Sequence, residues 1–276
     1  MIHTEYEWLS QEKTHVYAQS WLPDTWIKGI ICLVHGLGEH SGRYARWAGL
    51  FVQAGFGMLA ADLPGHGRTE GRTAYVKNYQ VLLNQVDLTL GKSEELFPGI
   101  PRILYGHSMG GNIAINYAIF RKASIRALIA SSPWLRLTFR VSPLELASGK
   151  MMNSLLPRVR FKRKGTKAEY LSHDPEHWAD VRNDPLNHGL ITGRYFWIIH
   201  QQGESAMGHG NKIKVPFLLM HGSEDKITSP LASEAFVADT GDRTQFKIWD
   251  GLYHELHNEF EYRDIAKYVI GWLDKL

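Results

Sequence analysis

The chain has 276 residues, of which 44% are hydrophobic and 21% are charged, and 31 basic against 28 acidic residues leave a net charge of +3. These values are typical of a folded globular protein and exclude a disordered, collagen-like or coiled-coil chain. The balanced charge argues against a dedicated nucleic-acid binder. A single cysteine, Cys32, excludes an internal disulfide and a zinc site built on several thiolates.

The N-terminal residues and the lengths of the hydrophobic runs indicate where in the cell the protein is expected. The first residues lack the basic stretch followed by an apolar stretch that marks a signal peptide. No window reaches the length of about 18 apolar residues that a membrane-spanning helix needs. We therefore expect a soluble protein of a reducing compartment, the cytoplasm.

Strand and helix patterns alternate along most of the chain. Apolar or alternating runs predict strands at residues 5–9, 15–21, 29–34, 56–61, 102–105, 127–130, 216–220 and 245–249. Helical spacing predicts helices at residues 44–51, 75–96, 112–121, 230–238 and 260–273. The strand at 29–34 is apolar throughout, which is typical of a strand buried on both faces. This order predicts an α/β fold with a mostly parallel central sheet and helices on both faces.

The alternation breaks between about residues 132 and 212, where no clear strand is predicted. This part contains an amphipathic stretch at 143–156, a basic stretch at 158–167 and a helical pattern at 195–200. We interpret residues 133–211 as a helical cap over one end of the sheet. The core would then consist of residues 1–132 and 212–276.

An apolar stripe and a basic run adjoin each other in the predicted cap. The stripe has helical spacing and consists of Leu144, Ala147, Met151 and Leu155, widened by Leu146 and Met152. The basic run consists of Arg158, Arg160, Lys162, Arg163, Lys164 and Lys167. We favour packing of the stripe against the core. Contact of the stripe and the basic run with an anionic lipid surface is the second hypothesis.

Residues 106–110, Gly-His-Ser-Met-Gly, form a Gly-x-Ser-x-Gly pentapeptide between a predicted strand and a predicted helix. So sharp a turn forces unusual backbone angles on the serine, and glycines two residues away on each side relieve the crowding. The spacing alone also fits a glycine-rich turn with an incidental serine. Its position between a strand and a helix favours Ser108 as a nucleophile.

A serine hydroxyl is a poor nucleophile without a base. Asp225 and His254 each follow a predicted strand, in the Ser, Asp, His order of this architecture. Because the carboxyl ends of parallel strands meet at one edge of a sheet, we expect both residues beside Ser108. Glu224 is the alternative acid and His257 the alternative base. Asp225 and His254 each also fit an ordinary turn residue without a function.

Attack on a carbonyl carbon also requires N–H donors for the oxyanion that develops in the transition state. The backbone N–H of Met109, after the serine, is one candidate. Leu37 is the other, because Gly36 and Gly38 on either side allow a substrate to approach the backbone closely. An ordinary strand-to-helix turn fits the same residues.

Several motifs together resemble the α/β-hydrolase family, and within it the monoacylglycerol lipase and lysophospholipase branch. They lie at residues 35–44, 62–71, 106–111, 183–186 and 253–259. One motif departs from the pattern of the branch, since Thr69 stands where serine is usual. The resemblance covers nearly the whole chain in order. It is weakest at the N-terminus and across residues 135–167, where substrate choice is usually set.

This resemblance implies an α/β-hydrolase fold in which Ser108 is the nucleophile, Asp225 the orienting acid and His254 the base. In relatives that act on monoglycerides, a polar pocket on the glycerol side is lined by the positions that match Glu39, Arg43 and His257.

We therefore expect a serine carboxylic-ester hydrolase that cleaves monoacylglycerols or similar single-chain lipid esters through an acyl-enzyme. No metal or organic cofactor is expected. The alternatives are a short-chain, aryl or cinnamoyl esterase, a lysophospholipase, and a non-catalytic ligand-binding protein with the same fold. The expected partners are a lipid-ester substrate and, through the cap, the membrane surface, but not nucleic acid. The sequence makes no prediction of the oligomeric state.

Overall fold

One sheet of eight strands organises the computed structural model, which describes residues 1–121, 124–139, 142–163 and 167–276. The strands in these ranges are β1 (Ile2–Leu9), β2 (His15–Leu22), β3 (Gly29–Val34), β4 (Phe56–Ala61), β5 (Arg102–His107), β6 (Ala127–Ser131), β7 (Arg160–Lys162), β8 (Leu190–Thr192), β9 (Phe217–Gly222) and β10 (Thr244–Trp249). The order across the sheet is β1-β2-β4-β3-β5-β6-β9-β10. Only the pairings β1–β2 and β2–β4 are antiparallel there. The prediction of a mostly parallel sheet is confirmed.

Helices cover both faces of this sheet. In the described ranges they are α1 (Ala45–Gln53), α2 (Tyr79–Leu96), α3 (Met109–Phe120), α4 (Pro143–Leu155), α5 (Pro175–Asn183), α6 (Gly193–Ala206), α7 (Pro230–Val237) and α8 (Tyr262–Leu273). Side chains of β3 alternate between two buried clusters, because successive residues of a strand point to opposite faces. Ile30 and Cys32 pack with α2 and α3, whereas Ile31 and Leu33 pack with α1 and α8. Within the described part of the chain, no helix is long and apolar enough to cross a bilayer.

Two helices begin three or more residues away from the start that the sequence predicts. Helix α2 begins at Tyr79 because the side chain of Asn78 caps it, accepting a hydrogen bond of 3.3 Å from the N–H of Val81. Helix α3 begins at Met109, three residues before the predicted start at residue 112. Its first turn contains Gly110 and Gly111, whose low helix propensity hides the helix from a sequence pattern.

Residues 133–211, called the inserted segment below, lie between β6 and β9. They contain α4, α5, α6 and an antiparallel pair of three-residue strands, in which Arg160 pairs with Thr192. The expectation that this part contains no strand is wrong. Strands this short carry no recognisable alternation, so their pairing becomes visible only in three dimensions.

The apolar stripe of α4 points away from the core. Leu144 is 79% exposed, Met151 is 55% exposed and Leu155 is 70% exposed. The favoured interpretation, in which the stripe packs against the core, is therefore wrong for these three side chains. Met152 is half-buried, and the side chain of Leu146 and the whole of Lys164 lie outside the described residues.

We expect Gly110→Ala to destabilise the fold by about 1–3 kcal/mol, the usual cost of overpacking. A Cβ atom at this position would meet the backbone carbonyls of Val34 and His35, which cannot move without distorting β3. The matched control is Gly91→Ala in α2, where no described atom outside the adjoining helix backbone lies within 4 Å of the added Cβ. That change should stabilise the protein by about 1 kcal/mol through helix propensity. Urea unfolding of both variants measures the difference, and equal stabilities would contradict the close approach of α3 to β3.

Candidate active site

Ser108 occupies the sharp turn between β5 and α3. Its backbone lies in the left-handed region, with φ of 54° and ψ of −116°. Residues with a side chain adopt such angles only where the surroundings enforce them. The turn requires glycine on both sides, because a Cβ atom at Gly106 would collide with the carbonyl of Gly110. The geometry is that of the predicted elbow.

Ser108, His254 and Asp225 lie in one hydrogen-bonded line. Ser108 Oγ is 2.9 Å from His254 Nε2, and His254 Nδ1 is 2.7 Å from Asp225 Oδ2. All three residues are buried. The structure thus brings together side chains from the carboxyl ends of β5, β9 and β10, as the sequence predicts. The alternative acid, Glu224, is exposed.

The carboxylate of Asp225 is surrounded by donors. Its Oδ1 accepts hydrogen bonds from the N–H groups of Ile227 and Thr228, at 2.7 and 3.0 Å. Its Oδ2 accepts from the hydroxyl of Thr228 at 2.9 Å and lies 3.0 Å from His221 Nε2. Sequence reasoning assigned no role to His221 or Thr228, because no motif spacing sets them apart.

These contacts shift two pKa values in opposite directions. Burial raises the pKa of Asp225, but the neighbouring His254 and His221 outweigh burial and lower it far below its ordinary range. Burial lowers the pKa of His254, but the Asp225 carboxylate outweighs burial and raises it above its usual value of about 6.5. Asp225 is therefore ionised, and His254 is a stronger base than a free imidazole.

Leu37 and Met109, the predicted oxyanion donors, come from two neighbouring parts of the sheet. Met109 is the first residue of α3, and Leu37 follows β3, the neighbour of β5. Within the described residues, neither backbone N–H donates to a protein acceptor. Both groups are therefore candidate donors for a substrate oxygen.

Glu39 is buried and bonded through both carboxylate oxygens. Its Oε1 accepts hydrogen bonds from the backbone N–H of Gly36 and, at 3.0 Å, from the hydroxyl of Tyr44. Its Oε2 accepts from Arg43 Nη1 at 2.8 Å. Glu39 lines the cavity described below, and it also orders the loop that carries Leu37.

Arg43 joins Glu39 to a second buried carboxylate, that of Glu255. Arg43 Nη2 donates to Glu255 Oε2 at 2.8 Å, and His177 Nε2 from α5 lies 2.7 Å from the same oxygen. Burial raises the pKa of Glu255, but Arg43 and His177 lower it well below its ordinary range. Sequence reasoning missed Glu255 and left His177 without a function, because their contact joins residues far apart in the chain.

His257 lies behind this polar cluster. Its ring stacks on Tyr44, with centroids 4.7 Å apart, and meets the ring of His107 edge-on at 4.8 Å. Burial lowers the pKa of His257 to about 3, although Glu255 opposes the shift. Neither ring nitrogen has a hydrogen-bond partner in the described ranges. Unlike Glu39 and Arg43, His257 is absent from the cavity wall formed by the described residues.

A cavity of about 760 Å³ opens onto Ser108 and His254. The core contributes polar groups to its wall, including Glu39, Arg43 and Glu255. Most of its apolar wall comes from the inserted segment, namely Trp134, Leu137, Phe139, Met152, Phe161, Leu171, Val181, Ile191 and Phe196. The site can therefore hold a molecule with one apolar part and one polar part beside a serine, a histidine and a carboxylate.

We expect Asp225→Asn to lower the pKa of His254, because the substitution removes the carboxylate that most strongly opposes the effect of burial. NMR titration of the His254 ring resonances measures this shift directly. Glu224→Gln is the matched control, since it removes an adjacent but exposed carboxylate. An unchanged His254 titration in Asp225→Asn would contradict the electrostatic coupling of the two residues.

Known proteins share both the sequence pattern and the fold. The family described as Hydrolase_4, serine aminopeptidase S33, matches residues 25–261. The chain is 30% identical over 256 residues to a monoacylglycerol lipase of Mycolicibacterium smegmatis, covering 92% of this chain and 90% of that protein. It is also 30% identical over 270 residues to an uncharacterised abhydrolase domain-containing protein of Dictyostelium discoideum, covering 96% of this chain but only 28% of that protein.

The solved structures agree with the sequence relatives. The crystal structure of a monoacylglycerol lipase of Paleococcus ferrophilus matches with a TM-score of 0.84 at 30% identity, over 94% of this chain and 98% of that chain. The resemblance seen in the sequence motifs is thereby confirmed. With residues 25–261 matched by the family and the fold shared with its solved relatives, the chain belongs to the Hydrolase_4, serine aminopeptidase S33, family and has the α/β-hydrolase fold.

Proposed function

We propose that this protein is a serine hydrolase that cleaves monoacylglycerols to a fatty acid and glycerol. One observation carries the proposal, namely the distance of 2.9 Å between Ser108 Oγ and His254 Nε2 at the wall of a largely apolar cavity. The names of the relatives in Mycolicibacterium smegmatis and Paleococcus ferrophilus support the same substrate class.

The reaction would proceed in two steps, acylation of Ser108 and hydrolysis of the acyl-enzyme. Ser108 Oγ attacks the ester carbonyl while His254 Nε2 takes its proton, and the Asp225 carboxylate holds the imidazole in the correct tautomer. The N–H groups of Leu37 and Met109 stabilise the oxyanion. The alcohol leaves with the proton from His254, and a water molecule activated by His254 then hydrolyses the acyl-enzyme.

The two kinds of cavity wall match the two parts of a monoacylglycerol. The apolar wall of the inserted segment suits a single acyl chain, and we propose that this segment acts as a cap over the site. The polar cluster around Arg43 suits the glycerol hydroxyls, through Glu39, Arg43 and Glu255. His257 would support this cluster from behind, by packing on Tyr44.

We expect the protein to hydrolyse long-chain monoacylglycerols with a higher kcat/KM than lysophospholipids or short-chain p-nitrophenyl esters. Ser108→Ala should lower kcat by about 10⁴-fold or more, because the three residues act as a unit. Glu224→Gln, the exposed neighbour of Asp225, should keep wild-type rates. A preference for lysophospholipids or short acyl chains would favour those alternatives. Binding of monoacylglycerol without turnover would favour a non-catalytic protein and contradict the proposal.

We further propose that the protein is a cytoplasmic enzyme that meets its substrate at a membrane surface. The contact would be made by α4 and the chain that follows it. Leu144 and Leu155 are 79% and 70% exposed, and Arg158, Arg160 and Lys162 are exposed close behind them in sequence. An apolar stripe beside basic side chains suits the boundary between acyl chains and anionic headgroups. Arg163 is only partly exposed and donates to Leu37 and His188 instead, and it has no part in this surface.

We expect salt-sensitive co-sedimentation with vesicles that contain phosphatidylglycerol. Replacing Arg158, Arg160 and Lys162 together by glutamine should weaken binding roughly 100-fold, at about 1 kcal/mol for each charge near the surface. Leu144→Ser with Leu155→Ser should weaken binding at low and high salt alike. Leu231→Ser is the matched control, since Leu231 is 76% exposed on α7, outside the inserted segment. Binding that does not depend on lipid charge, or no binding, would contradict docking on an anionic membrane surface.

A further inference from the structure

Arg163 of the inserted segment reaches the loop that carries Leu37. Its Nη1 donates a hydrogen bond of 2.7 Å to the carbonyl oxygen of Leu37, and its Nη2 donates one of 3.0 Å to the carbonyl oxygen of His188. The guanidinium lies so close to Gly38 that a Cβ atom there would come within 2.7 Å of Nη2. Arg163 therefore covers the loop directly beside the proposed oxyanion donor.

The peptide groups around the Leu37 N–H are held from two sides. On the core side, Glu39 accepts from the N–H of Gly36. On the side of the inserted segment, Arg163 holds the carbonyl of Leu37, and the N–H of His188 donates to the carbonyl of Gly38 at 2.8 Å. Between these bonds, the Leu37 N–H itself donates to no acceptor in the described part of the chain.

The positive charge of Arg163 is not paired with a bonded carboxylate of any residue that the structure describes. Both of its bonded acceptors are neutral carbonyl oxygens, and its Nε has no partner among the described residues. Burial lowers the pKa of Arg163 to about 10, although Glu39 and Glu255 oppose the shift, so the guanidinium is still charged at neutral pH. A partly buried cation without a bonded carboxylate is costly to keep, which points to a role beyond packing.

We propose that Arg163 is a positioning residue of the oxyanion hole: by holding the Leu37 carbonyl, it fixes the backbone of Leu37 so that the N–H of the same residue points at the developing oxyanion. The inserted segment then supplies part of the catalytic geometry as well as the cavity wall. This inference rests on the proposed function, because it requires attack by Ser108 on a carbonyl carbon. A donor that is misplaced by about 1 Å can cost about 100-fold in rate.

The experiment compares ester hydrolysis with the binding of an alkyl trifluoromethyl ketone. In the complex with this ketone, Ser108 Oγ bonds to the carbonyl carbon, the serine proton passes to His254 and the carbonyl oxygen becomes an oxyanion. Arg163→Met should lower kcat for monoacylglycerol by about 10- to 100-fold and raise the inhibition constant of the ketone in parallel. KM should change by less than about threefold. Arg163→Lys should lie between wild type and Arg163→Met, because one ammonium can still donate to the Leu37 carbonyl.

Arg194 provides a matched control. It also belongs to the inserted segment, donates to the carbonyls of Lys77 and Asn153 at 2.9 and 3.3 Å, and has an Nε without a partner in the described ranges. It is absent from the cavity wall formed by those residues. Arg194→Met should change kcat and the inhibition constant by less than about threefold, even where it lowers the thermal unfolding midpoint as much as Arg163→Met does.

Two results would overturn the inference. One is Arg163→Met with wild-type kcat and ketone affinity, and the other is an equal loss in Arg194→Met, which would indicate general docking of the inserted segment. If Arg163→Met does not fold, the same comparison of kcat and ketone affinity is made between Arg163→Lys and Arg194→Lys. A wild-type protein that neither hydrolyses esters nor binds the ketone would instead contradict the proposed function.

Discussion

The strained backbone of Ser108 is the constraint on which the rest of the site depends. Its N–H donates to the carbonyl of Ser131 at the end of β6, at 2.9 Å, and its carbonyl accepts from the N–H of Trp134, also at 2.9 Å. The elbow is thereby fixed to a neighbouring strand and to the first residues of the inserted segment. Left-handed angles at a serine are unfavourable unless such bonds outweigh them, so the surrounding strands have to be in place before the hydroxyl can be presented.

A second constraint is the burial of charge next to that elbow. Arg43 lies between the carboxylates of Glu39 and Glu255, at 2.8 Å from each. Removing Arg43 would leave two buried carboxylates without their shared cation, which costs several kcal/mol. His177 of the inserted segment also contacts this set, with its Nε2 2.7 Å from Glu255 Oε2. The inserted segment therefore takes part in the buried polar cluster of the core.

The sequence could predict those parts of the molecule that local chemistry determines. The apolar runs at β3 and β4 identified buried strands with their observed bounds, and the glycines around Ser108 identified the elbow. Contacts between distant residues could not be predicted, because no spacing relates His177 to Glu255 or Arg163 to Leu37. The same limit applies to His257, which a motif assigns to the glycerol side while the rings of Tyr44 and His107 enclose it. An apolar stripe likewise looks the same whether it faces a core or, as Leu144 and Leu155 do, the solvent.

The inserted segment is one continuous stretch between β6 and β9, which suggests that it could be replaced by the corresponding segment of a relative. Its contacts with the core restrict such a replacement. Arg163 bonds to Leu37, the N–H of His188 bonds to Gly38, and Asp184 lies 2.7 Å from His40. All three core partners belong to the short loop after β3. A chimera that takes this segment from a relative would have to exchange residues 36–40 with it, because the two stretches form one structural unit although about 90 residues separate them in the chain.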